Sequence, residues 1–310
     1  MSVANLLTRK KSGRVFDIKR YAIHDGPGVR ISVHFKGCPL SCLWCHNPES
    51  QAFHPQLLFR SDRCIGCGKC IEACPNQAIS MGNLGLETEA NSCAGIGRCV
   101  DVCPADAREL CGRMMSVDDL MKEILKERIF FDESGGGVTL TGGEPLAQPE
   151  FATAILAECR HHEIHTVLDT CGFVGSKILL DTVPLTDLYL YDVKHMDPEK
   201  HKEYTGVDNE LILSNLVKLS ESGADIVARM PFIPGLNSDD ENIRATGAFL
   251  SKLKGVRRLD ILPYHRLALD KHNRWKMEFR LQDVYAPTEN ALRRAADIAR
   301  GFGIEVSIGG

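Results

Sequence analysis

Short runs of Val, Ile and Leu recur along the chain, and between them apolar positions return every three or four residues. The runs read as strands at residues 29–36, 137–141, 166–169, 188–193, 226–231 and 259–263. Most are near-continuous rather than alternating, as strands are when both faces of a parallel sheet are covered. The stretches near 149–162, 175–183, 209–222, 239–253 and 287–301 read as helices. Another helix starts at Ser116, an N-cap ahead of Leu120, Met121, Ile124 and Leu125 on one helical face. Strand–helix alternation predicts an α/β fold. Six units rather than eight predict a partial (β/α)6 barrel of the TIM type. A doubly wound sheet has the same periodicity.

One stretch breaks the alternation. Between residues 53 and 112 lie eight cysteines and many glycines, with little periodicity. Such a segment cannot build a core of its own and needs a metal or a disulfide to fold. The expected organisation is therefore a first part of the barrel at 1–53, a small insert at 54–112, and the rest of the barrel at 113–310.

The 310 residues carry a net charge of -4, which disfavours a general nucleic-acid binder. No apolar run is long enough to span a membrane. The basic residues within 1–14 are not followed by the apolar stretch of a secretory signal, so a cytoplasmic location is expected. Cysteine is the outlier, with 13 residues. In a reducing compartment these would not be disulfides, and most fall in tight clusters that favour metal ligation.

Three motifs hold the clusters. The first, Cys38-Pro-Leu-Ser-Cys42-Leu-Trp-Cys45, follows the first strand. A structural zinc or a closed cluster wants four ligands, whereas three thiolates leave one metal position open. A zinc loop completed by His46 is the bland alternative. The second, Cys64-Ile-Gly-Cys67-Gly-Lys-Cys70-Ile-Glu-Ala-Cys74-Pro75, is the bacterial ferredoxin run in full. The third, Cys93-Ala-Gly-Ile96-Gly-Arg-Cys99-Val-Asp-Val-Cys103-Pro104, has the same frame with Ile96 in the second cysteine position. In two-cluster ferredoxins the last cysteine of each run serves the other cluster. Cys64, Cys67, Cys70 and Cys103 then form a complete set, and Cys74, Cys93 and Cys99 lack a fourth thiolate. Cys111 is a candidate for it. Other ligation, a three-iron cluster or a damaged site also fit. Cys159 reads as helix core.

The Cys38–Cys42–Cys45 loop, with an aromatic before its last cysteine, resembles the signature of the radical S-adenosylmethionine (SAM) superfamily. The segments His24-Asp25-Gly26-Pro27-Gly28-Val29-Arg30, Trp44-Cys45-His46-Asn47-Pro48-Glu49, Thr141-Gly142-Gly143-Glu144-Pro145, Asp192-Val193-Lys194 and Pro263-Tyr264-His265 narrow the match. Together they resemble the activating enzymes of glycyl radical enzymes, in the subtype with a ferredoxin-like insert.

The resemblance implies a [4Fe–4S] cluster on Cys38, Cys42 and Cys45 whose open iron is chelated by SAM. It implies reductive cleavage of SAM to methionine and a 5′-deoxyadenosyl radical, which takes hydrogen from a backbone glycine of a partner lyase or dehydratase. Choline trimethylamine-lyase, isethionate sulfite-lyase, glycerol or propanediol dehydratase and hydroxyproline dehydratase all fit as partners. One or two further [4Fe–4S] clusters in the insert, and reduced flavodoxin or ferredoxin as electron donor, are also implied. By the same analogy Trp44, His46, Gly142, Gly143, Glu144, Asp192, Lys194, Arg229 and His265 serve SAM. Asp169 and Thr170 resemble a monovalent-cation position.

The residue chemistry agrees. Nearly every motif falls at the C-terminal end of a predicted strand, where α/β barrels keep their catalytic groups, and Arg229 lies within one. Asp192 and Lys194, two apart, face one side of a strand. Rival readings are a radical SAM enzyme acting on a small molecule, a ferredoxin-type electron carrier, and a zinc-bound structural protein.

Overall fold

The computed structural model describes residues 10–82, 85–89, 91–275 and 277–309. Part of the basic N-terminal stretch, residues 1–9, lies outside them. The strands are β1 (Ser12–Ala22), β2 (Arg30–Phe35), β3 (Gln56–Phe59), β4 (Ile79–Gly82), β5 (Gly85–Thr88), β6 (Arg108–Cys111), β7 (Arg113–Ser116), β8 (Gly137–Gly142), β9 (His165–Thr170), β10 (Leu188–Asp192), β11 (Ile226–Phe232), β12 (Val256–Pro263) and β13 (Glu305–Ile308). The helices are α1 (Lys69–Glu72), α2 (Arg98–Asp101), α3 (Val117–Leu125), α4 (Arg128–Ser134), α5 (Pro149–His161), α6 (Ser176–Leu180), α7 (Pro198–Thr205), α8 (Glu210–Glu221), α9 (Asp240–Leu250), α10 (Ala268–Arg274) and α11 (Glu289–Arg300).

Nine strands form one sheet in the order β13-β12-β11-β10-β9-β8-β2-β1-β7. From β2 to β13 every neighbour is parallel. Within this parallel part the order never reverses, which separates this singly wound, open barrel from a doubly wound sheet. All six expected strands are present, and β13 adds a seventh parallel one. β1 pairs antiparallel with β2 and with β7. β1 escaped the pattern because its run, Ser-Gly-Arg-Val-Phe-Asp-Ile-Lys-Arg-Tyr-Ala, places charges along a half-exposed edge. Helix α7 escaped because its buried side chains are His201 and Thr205, not apolar ones.

The pleat separates two environments. Ile31, Val33 and Phe35 of β2, Leu140 of β8, Tyr189 of β10, Met230 of β11 and Ile261 of β12 point outward. There they pack with Leu120, Ile155, Leu216, Ile243 and Ala296 of the helices in one core. Cys159 is fully buried in this core, as its helical position suggested. Ser116 caps α3 by accepting from the Asp119 backbone N–H at 3.1 Å.

The inward face is different. Val167, Leu188, Leu190 and Val227 make a small apolar floor near the strand starts. Polar side chains stand above it. The loop at residues 24–28 packs against this floor and is held by Arg30, which is fully buried. Arg30 donates from Nη1 to Pro27 O, from Nη2 to Val138 O and from Nε to Thr139 Oγ1, each at 2.8 Å. Thr139 Oγ1 donates in turn to Asp25 O at 2.7 Å. Burial lowers the Arg30 pKa to about 10, which leaves it charged at neutral pH.

Residues 56–111 leave the main sheet. There β3 pairs with β6, and β4 with β5, both antiparallel. No helix among the described residues is long and apolar enough to cross a membrane.

His34, on the inward face of β2, is 5% exposed, and neither ring nitrogen has a partner among the described residues. Burial, aided by Lys19, lowers its pKa from 6.5 to about 4. Between those values the unfolded chain takes up a proton that the folded chain refuses. The contribution to stability is complete above the unfolded value and is lost as the pH falls toward about 4. Urea titrations across this window should show wild type losing ~1.4 kcal/mol more per pH unit than His34→Leu. Parallel curves for the two proteins would contradict the assignment.

Candidate active site

A cavity of about 480 Å³ opens on the inward face, at the C-terminal ends of the parallel strands. Its wall carries Cys38, Cys42, Trp44, Cys45, His46, Gly142, Gly143, Asp192, Lys194, Arg229 and His265. Eleven of the twelve side chains and backbones expected around SAM thus share one cavity. The twelfth, Glu144, does not line it. Its carboxylate is fully buried and accepts from Thr170 Oγ1 at 2.9 Å, Cys171 N at 2.8 Å and Leu146 N at 3.0 Å. A carboxylate is there because two loops present backbone N–H groups that need an acceptor. Glu144 is therefore a positioning residue for the loop after β9.

The cysteine loop is fixed from three sides. Gly37 N donates to Ser50 O at 2.6 Å and Cys38 N to Gln51 O at 3.1 Å, so the loop closes on itself. Ser41 N and Leu43 N donate to Thr205 O and Tyr204 O of α7 at 2.8 and 3.0 Å. From α10, Lys271 Nζ reaches Glu49 Oε1 at 2.7 Å and Asn47 Oδ1 at 2.8 Å. Burial pushes the Cys42 thiol up to about 12 and the Cys45 thiol up to about 11. Hydrogen bonding from Cys171 holds Cys38 below its ordinary value, and the same contact raises Cys171. Two of the three thiols thus hold their protons until a cation displaces them, because coordination deprotonates a thiol outright. Soft sulfur donors in this number suit iron–sulfur chemistry.

Gly142 and Gly143 are required by the meeting of two loops. Gly143 N donates to Phe35 O and Glu144 N to Gly37 O, each at 2.9 Å. A Cβ on Gly142, whose φ is +110°, would stand 2.6 Å from Phe35 N, and one on Gly143 would stand 2.4 Å from Gly37 O. Neither distance admits a side chain.

Charges on the wall are paired. Lys194 Nζ donates to Asp192 Oδ2 at 2.6 Å. Burial works against the ammonium, but Asp192 and Cys42 more than offset it and raise its pKa. Arg229 Nη1 lies 3.5 Å from Asp169 Oδ2, which also accepts from Thr141 Oγ1 at 2.6 Å. Burial raises Asp169 to about 6 although Arg229 opposes it. The rings of His46 and His265 stack at 4.2 Å and 26°. Burial, with His265 beside it, lowers His46 to about 4, so it is neutral at physiological pH. Trp44 is part of the wall and packs against Ile233, Tyr264 and Phe279.

Sequence reasoning gave no role to Cys171, which lines the cavity against Cys38, or to Lys271, which ties the loop down. Cys171 follows Asp169-Thr170 directly, and that adjacency was the available signal. His201 stands apart from this site. It is buried and bonds Val207 O at 2.7 Å, away from the cavity wall.

The insert holds two smaller hollows. Cys64, Cys67, Cys70 and Cys103 line one, beside Phe59 and Arg108. Cys74, Cys93, Cys99 and Ile96 line the other. These are the two sets expected from crossed ferredoxin pairing. Cys111 joins neither: its buried thiol lies 3.5 Å from Glu49 O, next to Lys36. It is thus no candidate for the missing thiolate: along β6 its side chain alternates with that of Leu110, whose partner Leu57 lines the second hollow, and so it faces Glu49 instead. Among the described residues, no three Cys, His, Asp or Glu side chains are gathered closely enough to hold a single metal ion.

A family model described as the radical SAM superfamily matches residues 32–246. The trans-4-hydroxy-L-proline dehydratase activating enzyme of Clostridioides difficile is 43% identical, covering 96% of this chain and 99% of that protein. The choline trimethylamine-lyase activating enzyme of Oleidesulfovibrio alaskensis is 38% identical, covering 96% and 98%. Among solved structures, a domain of a pyruvate-formate lyase-activating enzyme from Bacteroides vulgatus is 32% identical. It covers 57% of this chain and 100% of that one, with a TM-score of 0.50. A radical SAM methyltransferase from Sphaerobacter thermophilus is similar in fold, at a TM-score of 0.53 and 13% identity over 98% of this chain and 80% of that one. The chain belongs to the radical SAM superfamily, among the activating enzymes of glycyl radical lyases and dehydratases.

Proposed function

We propose that this chain cleaves SAM reductively at the cavity and uses the product to take hydrogen from a backbone glycine of a partner lyase or dehydratase. The reading is carried by one observation: three thiols and a set of paired charges share a single wall. When bound, a four-iron cluster with one iron open to SAM supplies an electron that breaks the sulfur–C5′ bond. Cys38, Cys42 and Cys45 hold that cluster in the fixed loop. SAM brings an ammonium, a carboxylate and a ribose. The backbone at Gly142 and Gly143 offers polar groups to the amino-acid end. Asp192 accepts from ribose hydroxyls, and Lys194, kept charged by Asp192, meets the carboxylate. Arg229 adds a second cation on the neighbouring strand, in register with Asp192. His46 and His265, flat and stacked, are the surface for adenine.

The insert is read as a ferredoxin-like unit at 54–112, with a four-iron cluster on Cys64, Cys67, Cys70 and Cys103. Two backbone donors already point at its sulfurs: Gly66 N at Cys64 Sγ, 3.4 Å, and Ala107 N at Cys103 Sγ, 3.3 Å. Such hydrogen bonds tune the potential of an iron–sulfur centre. The insert passes electrons inward from reduced flavodoxin or ferredoxin. The partner is a glycyl radical lyase or dehydratase, the class named in the relatives at 43% and 38% identity.

Anaerobic protein reconstituted with iron and sulfide, then reduced with dithionite, should release 5′-deoxyadenosine from SAM. Cys38→Ala/Cys42→Ala/Cys45→Ala should release none while keeping the iron of the insert. Product from this variant, or none from fully loaded wild type, would sink the reading. A purified partner lyase or dehydratase should then gain the EPR doublet of a glycyl radical. Consumption of a small molecule in its place would favour the rival reading.

Asp192→Asn removes a charged acceptor and loosens Lys194. One charge-assisted hydrogen bond is worth about 1.5–3 kcal/mol, so the SAM concentration for half-maximal cleavage should rise roughly ten- to hundred-fold. An unchanged SAM dependence would place the ribose elsewhere.

A further inference from the structure

The insert repeats one frame twice. Gly66 and Gly68 have φ of 68° and 74°, and Gly95 and Gly97 have φ of 64° and 89°. Gly68 and Gly97 each precede a one-turn helix, α1 or α2, that buries its cysteine, Cys70 or Cys99. The closing cysteines also match: Ala78 N donates to Cys74 Sγ and Ala107 N to Cys103 Sγ, both at 3.3 Å. The two frames therefore agree in backbone as well as in spacing. They differ at one donor. Ile96 stands where the other frame has Cys67.

Among the described residues, nothing around the second hollow replaces that thiolate. Ile96 lines the hollow and has no ligating atom. The amide of Asn76, on the same wall, donates to Ser92 O at 3.1 Å. Arg98 is a cation. Cys111 lies against Glu49 and Lys36. The donor set is Cys74, Cys93 and Cys99. A cubane has four iron corners, and three thiolates cap three of them. In the main cavity Asp192, Lys194 and Arg229 share the wall with the three thiols and would suit a zwitterionic ligand at an open corner. In the second hollow the three thiols share the wall with the hydrocarbon side chain of Ile96.

We propose that Cys74, Cys93 and Cys99 hold a three-iron [3Fe–4S] cluster, and that Ile96 sets its iron count by leaving the fourth corner without a ligand. This rests on reading the insert as an iron–sulfur unit. If the hollow is first loaded with [4Fe–4S]2+, loss of one Fe2+ from the Ile96 corner leaves [3Fe–4S]0 and moves no electron. Transfer of one electron to added ferricyanide then gives the EPR-active [3Fe–4S]+.

The test uses the full chain carrying Cys38→Ala/Cys42→Ala/Cys45→Ala, which removes the other three-cysteine site. After anaerobic reconstitution and ferricyanide oxidation, the near-isotropic EPR signal of a three-iron cluster should appear. Adding Ile96→Cys should abolish that signal and raise the iron content by about one atom per chain. Adding Cys93→Ala in place of Ile96→Cys should abolish it with a loss of about three iron atoms, while the reducible four-iron signal of the Cys64 hollow stays. The proposal is overturned if the Ile96 protein gives only four-iron spectra. It is also overturned if Cys93→Ala changes nothing while the Cys64 hollow is loaded. If neither hollow takes up iron, the reading of the insert itself falls with it.

Discussion

The loops after β2 and β8 meet backbone to backbone, with no space for a Cβ at Gly142 or Gly143 and two hydrogen bonds across the seam. That contact sets where the cysteine loop stands relative to the rest of the rim. The same segment then runs into Glu144, whose buried carboxylate fixes the loop after β9 through Thr170 and Cys171. Three strand ends are thereby locked in sequence: β2 with its thiols, β8 with its glycines, β9 with Asp169. A site that must hold a cluster and a sulfonium ligand in register needs this rigidity more than it needs contacts.

The sheet supplies the second condition. Because side chains alternate across a strand, a single run can feed an apolar core outward and a polar cavity inward. β2 does this residue by residue, with Ile31, Val33 and Phe35 in the core and Arg30, Ser32 and His34 inside. The apolar floor at Val167, Leu188, Leu190 and Val227 closes the lower half. Charges above that floor are largely withdrawn from water and paired, Lys194 with Asp192 and Arg229 with Asp169. Buried paired charges are costly to assemble but strong once placed, because little water screens them.

Much of this was legible in the sequence. Six of the seven parallel strands were visible as apolar runs, and the cysteine spacings named both hollows of the insert. Other features were not. β1 carries Asp17, Lys19 and Arg20 along a half-exposed edge, so it shows no apolar run. Helix α7 buries His201 and Thr205, so periodicity in apolar residues could not find it. Glu144 sits inside a motif otherwise devoted to the cavity, and only the direction of its side chain shows that it serves the neighbouring loop. Spacing likewise left Cys111 as a candidate ligand. The pairing of β6 with β3 removes it, because register is a tertiary fact.

The central claim is that the three thiols of the cavity hold a cluster with one iron open to SAM. The most direct test is the EPR spectrum of the anaerobically reduced, reconstituted protein, recorded with and without SAM. The account predicts that SAM changes the signal of one cluster, and that the change is absent when Cys38, Cys42 and Cys45 are replaced by Ala with the insert clusters still loaded. A spectrum indifferent to SAM, or a change that survives loss of the three thiols, would contradict it.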